Sequence, residues 1–142
     1  MTKDQARRDV RAALSGGSFR VTKQRLAIVE ELAAVERYAT AKDLHQRLSR
    51  KRSGIGLATI YRTLETLEAI GAASVRTQGR GESAYLFCSP EHHHHAVCTK
   101  CGKVEDVPCR SIGRIERDLT QALRFKTTQH RFEFFGLCDR CS

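Results

Sequence analysis

At 142 residues and 16.0 kDa, with 29% charged and 40% hydrophobic residues, the chain has room for one ordinary domain or two small ones, and its composition is that of a globular protein. Its apolar runs are too short for a membrane-spanning helix, and its N-terminus is charged without an apolar signal core, so the cytoplasm is the expected compartment. The net charge of +9 is unevenly spread: residues 1–80 carry 16 Lys+Arg against 8 Asp+Glu, residues 81–142 carry 9 against 8, and all six Cys with five of the six His lie in the second stretch.

Residues 2–14 read as a weakly patterned helix broken by Gly16 and Gly17. Thr22 is an N-cap residue, and Leu26, Val29, Leu32 and Ala33 follow at helical spacing, which predicts an amphipathic helix over 23–35. Thr40 with Asp43 three residues on has the form of a capping box, and the short helix it opens puts Leu44 and Leu48 on one face. Ser53-Gly54 makes a turn. A third helix is predicted over 58–70, with Ile60, Leu64 and Leu67 inward and Gly71 just past its end. Residues 73–77 and 83–87 are extended runs joined by Gln78-Gly79-Arg80-Gly81, the outline of a hairpin.

Three short helices and a hairpin form a winged helix-turn-helix, in which the last helix enters the major groove and the hairpin lies over the backbone. On the helix at 58–70, Thr59, Tyr61, Arg62, Thr63 and Thr66 are expected to face outward, where hydroxyls and a guanidinium can meet base edges or phosphates. Lys23, Arg25, Arg76 and Arg80 are expected to hold phosphates. The competing reading is a solvated basic surface; confinement of the excess charge to this one segment favours nucleic acid. Tyr61 fits a base contact and a half-buried packing role equally well.

The second stretch carries metal-ligand chemistry. Cys98-Thr-Lys-Cys101-Gly and Cys138-Asp-Arg-Cys141 are two CxxC pairs, and a CxxC on a tight turn aims both sulfurs at one point. Two such turns complete a tetrahedral four-thiolate shell for zinc. In a reducing compartment, paired thiols at this spacing bind metal rather than form disulfides. A full thiolate shell leaves no open position for chemistry, so a structural role and no enzymatic activity are expected. A zinc deaminase would need a Pro before its CxxC and a His-x-Glu, and a thioredoxin-like protein a single CxxC at a helix start; neither pattern occurs.

The run His92-His93-His94-His95 lies in an extended segment, where side chains alternate faces. His93 and His95 share one face, which Cys88, five residues earlier, could join. His92 and His94 share the other, which His130 could join. A solvated histidine cluster is the competing reading. Residues 84–88, 93–98, 103–107 and 131–137 read as extended and 110–124 as a helix with Ile112, Ile115, Leu119 and Leu123 at spacing three to four. This is an α+β unit. The run Phe132, Phe134, Phe135 in so small a unit suggests a sheet partly covered by a second copy of the chain.

The segment GLATIYRTLETLEAIG (56–71), then HHHHAVCTKCG (92–102), then CDRC (138–141) resembles the ferric uptake regulator family over essentially the whole chain. The resemblance implies an α+β, homodimeric, metal-dependent repressor. Its winged-helix DNA-binding domain would span 1–82, with a hinge at 83–90 and a metal-binding dimerisation domain at 91–142. Within the family, the chain is most similar to zinc uptake regulators. Their sensing ligands correspond to Cys88, His93 and His95; the fourth, an Asp, falls at Ser74, which leaves Glu82 or water to complete the shell. Iron-type members would carry Glu at Leu86 and His near Tyr38, and peroxide-sensing members an Asp where this chain has Cys109 or Arg110. The auxiliary site would use His92, His94 and His130; its usual Glu falls at Gly113, with Glu116 or Cys109 as substitutes.

Zinc, structural and regulatory, a double-stranded operator and a second copy of the chain are thus the expected partners. An iron, manganese or peroxide sensor of the same family is the alternative. Outside the family, the alternative is a zinc-binding or thiol-redox protein.

Overall fold

The computed structural model describes residues 3–16, 19–88 and 92–142, and the chain divides into two compact units, Met1–Pro90 and Glu91–Ser142. Thr2, Gly17 and the last two residues of the expected hinge, 89 and 90, lie outside the described residues.

The first unit contains α1 (Lys3–Gly16), α2 (Lys23–Ala34), β1 (Ala39–Thr40), α3 (Ala41–Arg50), α4 (Leu57–Ala69), β2 (Ala73–Gln78) and β3 (Glu82–Phe87). Local chemistry sets the boundaries. The Thr22 hydroxyl accepts from the Arg25 amide at 3.2 Å to start α2. At α3 the capping box closes both ways, with the Asp43 amide donating to Thr40 Oγ1 and the Thr40 amide to Asp43 Oδ2. Beyond α4, Gly71 sits at φ 73 while its amide bonds Glu68 and that of Ala72 bonds Leu67, a Schellman closure only glycine enters without strain. Val10 and Leu14 of α1, Ile28 and Leu32 of α2, Leu44 of α3, and Ile60, Leu64 and Leu67 of α4 are fully buried together. The first helix thus contributes to the core despite its weak pattern.

β2 and β3 pair antiparallel from Ala73↔Phe87 to Gln78↔Glu82, the wing expected from the sequence. β1 pairs with the other edge of β3 through Ala39↔Tyr85 and Thr40↔Ala84, giving the order β1-β3-β2. Two residues are too few to show a period-two pattern, so no sequence signal announced β1. Residues 83–87, expected as hinge, are central-strand residues, because pairing on both edges commits them to the first sheet. Cys88 follows directly, buried, its amide donating to the Ala72 carbonyl at 3.0 Å.

The second unit contains β4 (His93–Cys98), β5 (Val104–Pro108), a 3-10 turn (Cys109–Ser111), α5 (Gly113–Leu123) and β6 (Glu133–Gly136). β4 is the central strand, antiparallel to β5 and parallel to β6. Of the helix expected at 110–124, the first residues form the 3-10 turn. Ile112 is buried, but Ile115, Leu119 and Leu123 are exposed, as are Phe125, Phe134, Phe135 and Leu137. Among the described residues no helix is long and apolar enough to cross a membrane.

Candidate metal centres and nucleic-acid interface

The four-cysteine cluster follows from strand pairing. Each CxxC lies on a turn: the Gly102 amide bonds the Cys98 carbonyl, and the Cys141 and Ser142 amides bond the Cys138 carbonyl, each at 2.9 Å. Parallel pairing of Cys98 with Gly136 brings the second turn beside the first. The four sulfurs lie within 4.8 Å of one another, and Cys101 and Cys138 are 3.7 Å apart. Tetrahedral zinc with four sulfurs at its usual bond length requires sulfur–sulfur edges of about 3.8 Å, so the donor set fits the ion. Amide N–H groups of Cys101 and Cys138 aimed at Cys98 hold its thiol down to about 6, whereas the Cys138 sulfur, burial and the other thiols push Cys141 up to about 12. One thiolate thus forms readily, and the fourth needs a cation to offset the charge already there.

The histidine run divides by face as β4 pleats. On one face, the Nε2 atoms of His93 and His95 are 3.1 Å apart, with Asp106 3.8 Å from His93. On the other, His130 Nε2 lies 2.7 Å from His92 Nε2, 3.1 Å from His94 Nε2 and 3.3 Å from Cys109 Sγ. Burial first, then the neighbouring rings, lowers the pKa of both His94 and His95, which favours the neutral imidazole that a metal ion requires. Glu116 does not enter the cluster as a ligand: its carboxylate pairs with His130 Nδ1, the outer ring nitrogen.

Glu82 is misplaced as a partner for Cys88. It opens β3 and Cys88 follows that strand's end, so the strand rise puts about 20 Å between them. Its carboxylate pairs with Lys42 at 3.1 Å. Ser74 Oγ lies 3.3 Å from the Tyr38 hydroxyl, and Tyr38 and Leu86 are both buried in the first unit.

The expected nucleic-acid contacts need a sharper division. Arg62 on α4, Lys23 at the start of α2 and Arg80 at the wing tip are exposed. Thr59 is half-buried, and Tyr61 packs half-buried against the core. Thr63 does not face outward: it is 1% exposed and its hydroxyl donates to the Thr59 carbonyl at 2.8 Å. Thr66 likewise turns its hydroxyl to the Arg62 carbonyl. Hydroxyls one turn from a helix carbonyl satisfy themselves locally, which composition does not reveal. Arg25 spends one guanidinium nitrogen on the Arg20 carbonyl, at 2.7 Å, and Arg76 lies 4.2 Å over the Tyr38 ring. The exposed residues of α4 are Ala58, Arg62, Glu65, Glu68 and Ala69. The small Ala58 gave no chemical signal in the sequence, and only spacing from Arg62 could have found it.

A helix-turn-helix with a hairpin wing, followed by a small sheet crowded with cysteine and histidine clusters, defines a metal-responsive DNA-binding regulator. The model of the Ferric uptake regulator family matches residues 17–135. The chain therefore belongs to the ferric uptake regulator family of metal-responsive repressors. It is 34% identical over 130 residues to the peroxide-responsive repressor PerR of Staphylococcus epidermidis, covering 92% of this chain and 86% of the relative. It is also 34% identical to FurB from M. tuberculosis, a zinc uptake regulator, with a TM-score of 0.51 over 90% of this chain and 99% of that one. The Vibrio cholerae ferric uptake regulator is 28% identical with a TM-score of 0.67, covering 92% and 100%. Equal identity to a peroxide-responsive and a zinc-responsive relative leaves the signal to be argued from the ligands.

Proposed function

We propose that the protein is a zinc-responsive repressor that binds palindromic operators of metal-uptake genes as a homodimer in the cytoplasm, with Cys88, His93 and His95 as its sensing ligands. The observation that carries this reading is donor chemistry. His93 and His95 converge on one face of β4, and the nearby donor along the chain is the thiol of Cys88. At Tyr38 and Leu86, where an iron-type member would place His and Glu, two buried non-ligands stand. A thiolate with two imidazoles suits zinc better than iron(II) or manganese.

Bound zinc would supply a tie among its ligands and no redox chemistry. Cys88 precedes His93 by five residues, a link of at most about 18 Å, and a ligand set drawn from both ends of that link favours one setting of the paired α4 helices over the many otherwise sampled. A preference of a few kcal/mol between settings gives a useful switch. The Cys98, Cys101, Cys138 and Cys141 cluster serves as the structural zinc site in this reading. Arg62 and Thr59 meet the major groove, with Tyr61 flanking them, while Lys23 and Arg80 hold phosphates. The exposed apolar residues of α5 and β6 are the expected dimer surface.

Operator titration of the metal-stripped protein with zinc, iron(II) and manganese in turn tests the proposal. Zinc should restore binding to the wild type and fail to do so in Cys88→Ser, which remains dimeric. Full zinc activation of Cys88→Ser, or equally tight binding by the stripped wild type, refutes it. Arg62→Ala should lower operator affinity by about 1–3 kcal/mol with unchanged melting. The Staphylococcus relative favours a peroxide-responsive reading, which instead predicts that peroxide releases the iron-loaded protein from its operator.

A further inference from the structure

We propose that the second unit carries a binding site for a small phosphate-class anion, in the cavity between α5 and the chain that returns from it, with Arg117, Lys126 and Thr127 as its recognition groups. The cavity has a volume of about 450 Å³, within the range of roughly 300–1,000 Å³ usual for small-molecule sites. Gly113, Glu116, Arg117 and Thr120 line it from α5, and Lys126 and Thr127 line it from the returning segment. The α5 positions fall at helical spacing on one stripe, and Ile115, Leu119 and Leu123 fall on another. The expected dimer surface and the cavity thus occupy different faces of the same helix.

Three features mark the cavity for an anion. Among the described residues, neither Arg117 nor Lys126 makes a hydrogen bond or an ion pair, so two cations line one space without an offsetting carboxylate. The acidic group on this wall, Glu116, is taken up by His130 Nδ1. Gly113, in the first turn of α5, brings no side chain, and a Cβ placed there would meet Arg117 Nη1 at 3.8 Å. The guanidinium therefore lies back along that first turn, where the positive end of the helix dipole adds to its field. Last, Thr127 Oγ1 is buried with no hydrogen-bond partner. A hydroxyl removed from water and left unpaired is costly, and an oxyanion supplies the acceptor it lacks.

The donor set selects the ligand. The Thr120 hydroxyl already donates to the Glu116 carbonyl at 2.9 Å, with the Phe125 carbonyl 3.3 Å away, so it holds the returning segment to the helix. The guanidinium, the ammonium and the Thr127 hydroxyl remain, and each can meet a different oxygen. That suits tetrahedral phosphate better than a two-oxygen carboxylate. A cavity of this volume holds the free ion or a small organic monoester. Either one joins α5 to the segment behind it, and binding to the folded form alone stabilises the second unit.

Titration of the zinc-loaded dimer with inorganic phosphate, and separately with phenyl phosphate, tests the site against sodium chloride at matched ionic strength. The Thr127 amide and Arg117 Nε–H resonances should shift saturably, and the melting temperature should rise with phosphate but not with chloride. Arg117→Gln should raise the phosphate dissociation constant by about 10-fold or more, and Thr127→Val by about threefold. Both variants should melt as the wild type does in phosphate-free buffer. Tighter binding of phenyl phosphate assigns the site to an organic monoester and equal binding to the free ion, and either supports the proposal. Shifts that chloride reproduces, or a phosphate titration unaltered by Arg117→Gln, overturn it.

Discussion

The two units are stabilised by different means. The first has a continuous apolar core, with Val10, Leu14, Ile28, Leu32, Leu44, Ile60, Leu64 and Leu67 all at 0% exposure. In the second, the large buried aliphatics among the described residues are Val97 and Ile112, while seven large apolar side chains stand exposed. Its sheet is bordered by cysteine and histidine clusters instead. A unit of about fifty residues with so few buried aliphatics has little apolar core, and metal ligation and self-association are general means by which small domains offset that deficit. In the reading proposed above, the unit with the apolar core reads DNA and the ligand-rich unit takes up the ion.

The contrast can be broken most severely at the thiolate cluster. Cys138→Ser should cost several kcal/mol of second-unit stability by opening the four-sulfur shell. Sedimentation should then show loss of the dimer and elemental analysis loss of its structural zinc, while helical circular dichroism retains the contribution of α1–α4. A smaller effect is expected at the apolar surface: Phe135→Asp should weaken self-association by about 30-fold or more, in the range of a hot-spot residue, with the zinc content unchanged. A dimer constant equal to the wild type would remove β6 from the interface.

The smallest effect sharpens the first unit. Glu31, 3% exposed, accepts from Arg47 Nε and Lys51 Nζ, each at 2.5 Å. Burial raises its pKa, but the hydrogen bonds and charges of Lys51 and Arg47 outweigh that and hold it below its ordinary value. A carboxylate lowered on folding stabilises above its unfolded pKa and loses that contribution as acid carries the pH through the lower folded value. Glu31→Gln should therefore cost about 1 kcal/mol near neutral pH and less as the pH falls below about 4. A melting difference that grows on acidification would contradict the pairing.

Much of the first unit was legible because its signals are local. The Thr22 and Thr40 caps, the Gly71 stop and the apolar spacing of α4 each act within a turn or two of chain, and the structure has all of them. The side-chain errors arose where a local bond or a distant neighbour decides orientation. Thr63 and Thr66 bond carbonyls one turn back, Arg76 lies over Tyr38 from another element, and Glu82 sits at the far end of the strand from Cys88. In the second unit, the alternation of the histidine run could be read from strand geometry. His130 was named from the sequence as a candidate partner for His92 and His94, and it lies beside them, on the stretch of chain that leads into the parallel strand β6.

By itself, the sequence determined the inventory: a basic helix-turn-helix with its wing, two CxxC turns and a two-faced imidazole strand, all written in short-range spacing. Tertiary structure decided which donors meet and which side chains remain outside. Strand order set Cys109 beside His130 and Cys98 beside Cys138, while core packing turned two threonines of α4 inward. Neighbours along a chain are fixed by covalent geometry, whereas neighbours across a sheet depend on a register that only the folded molecule selects.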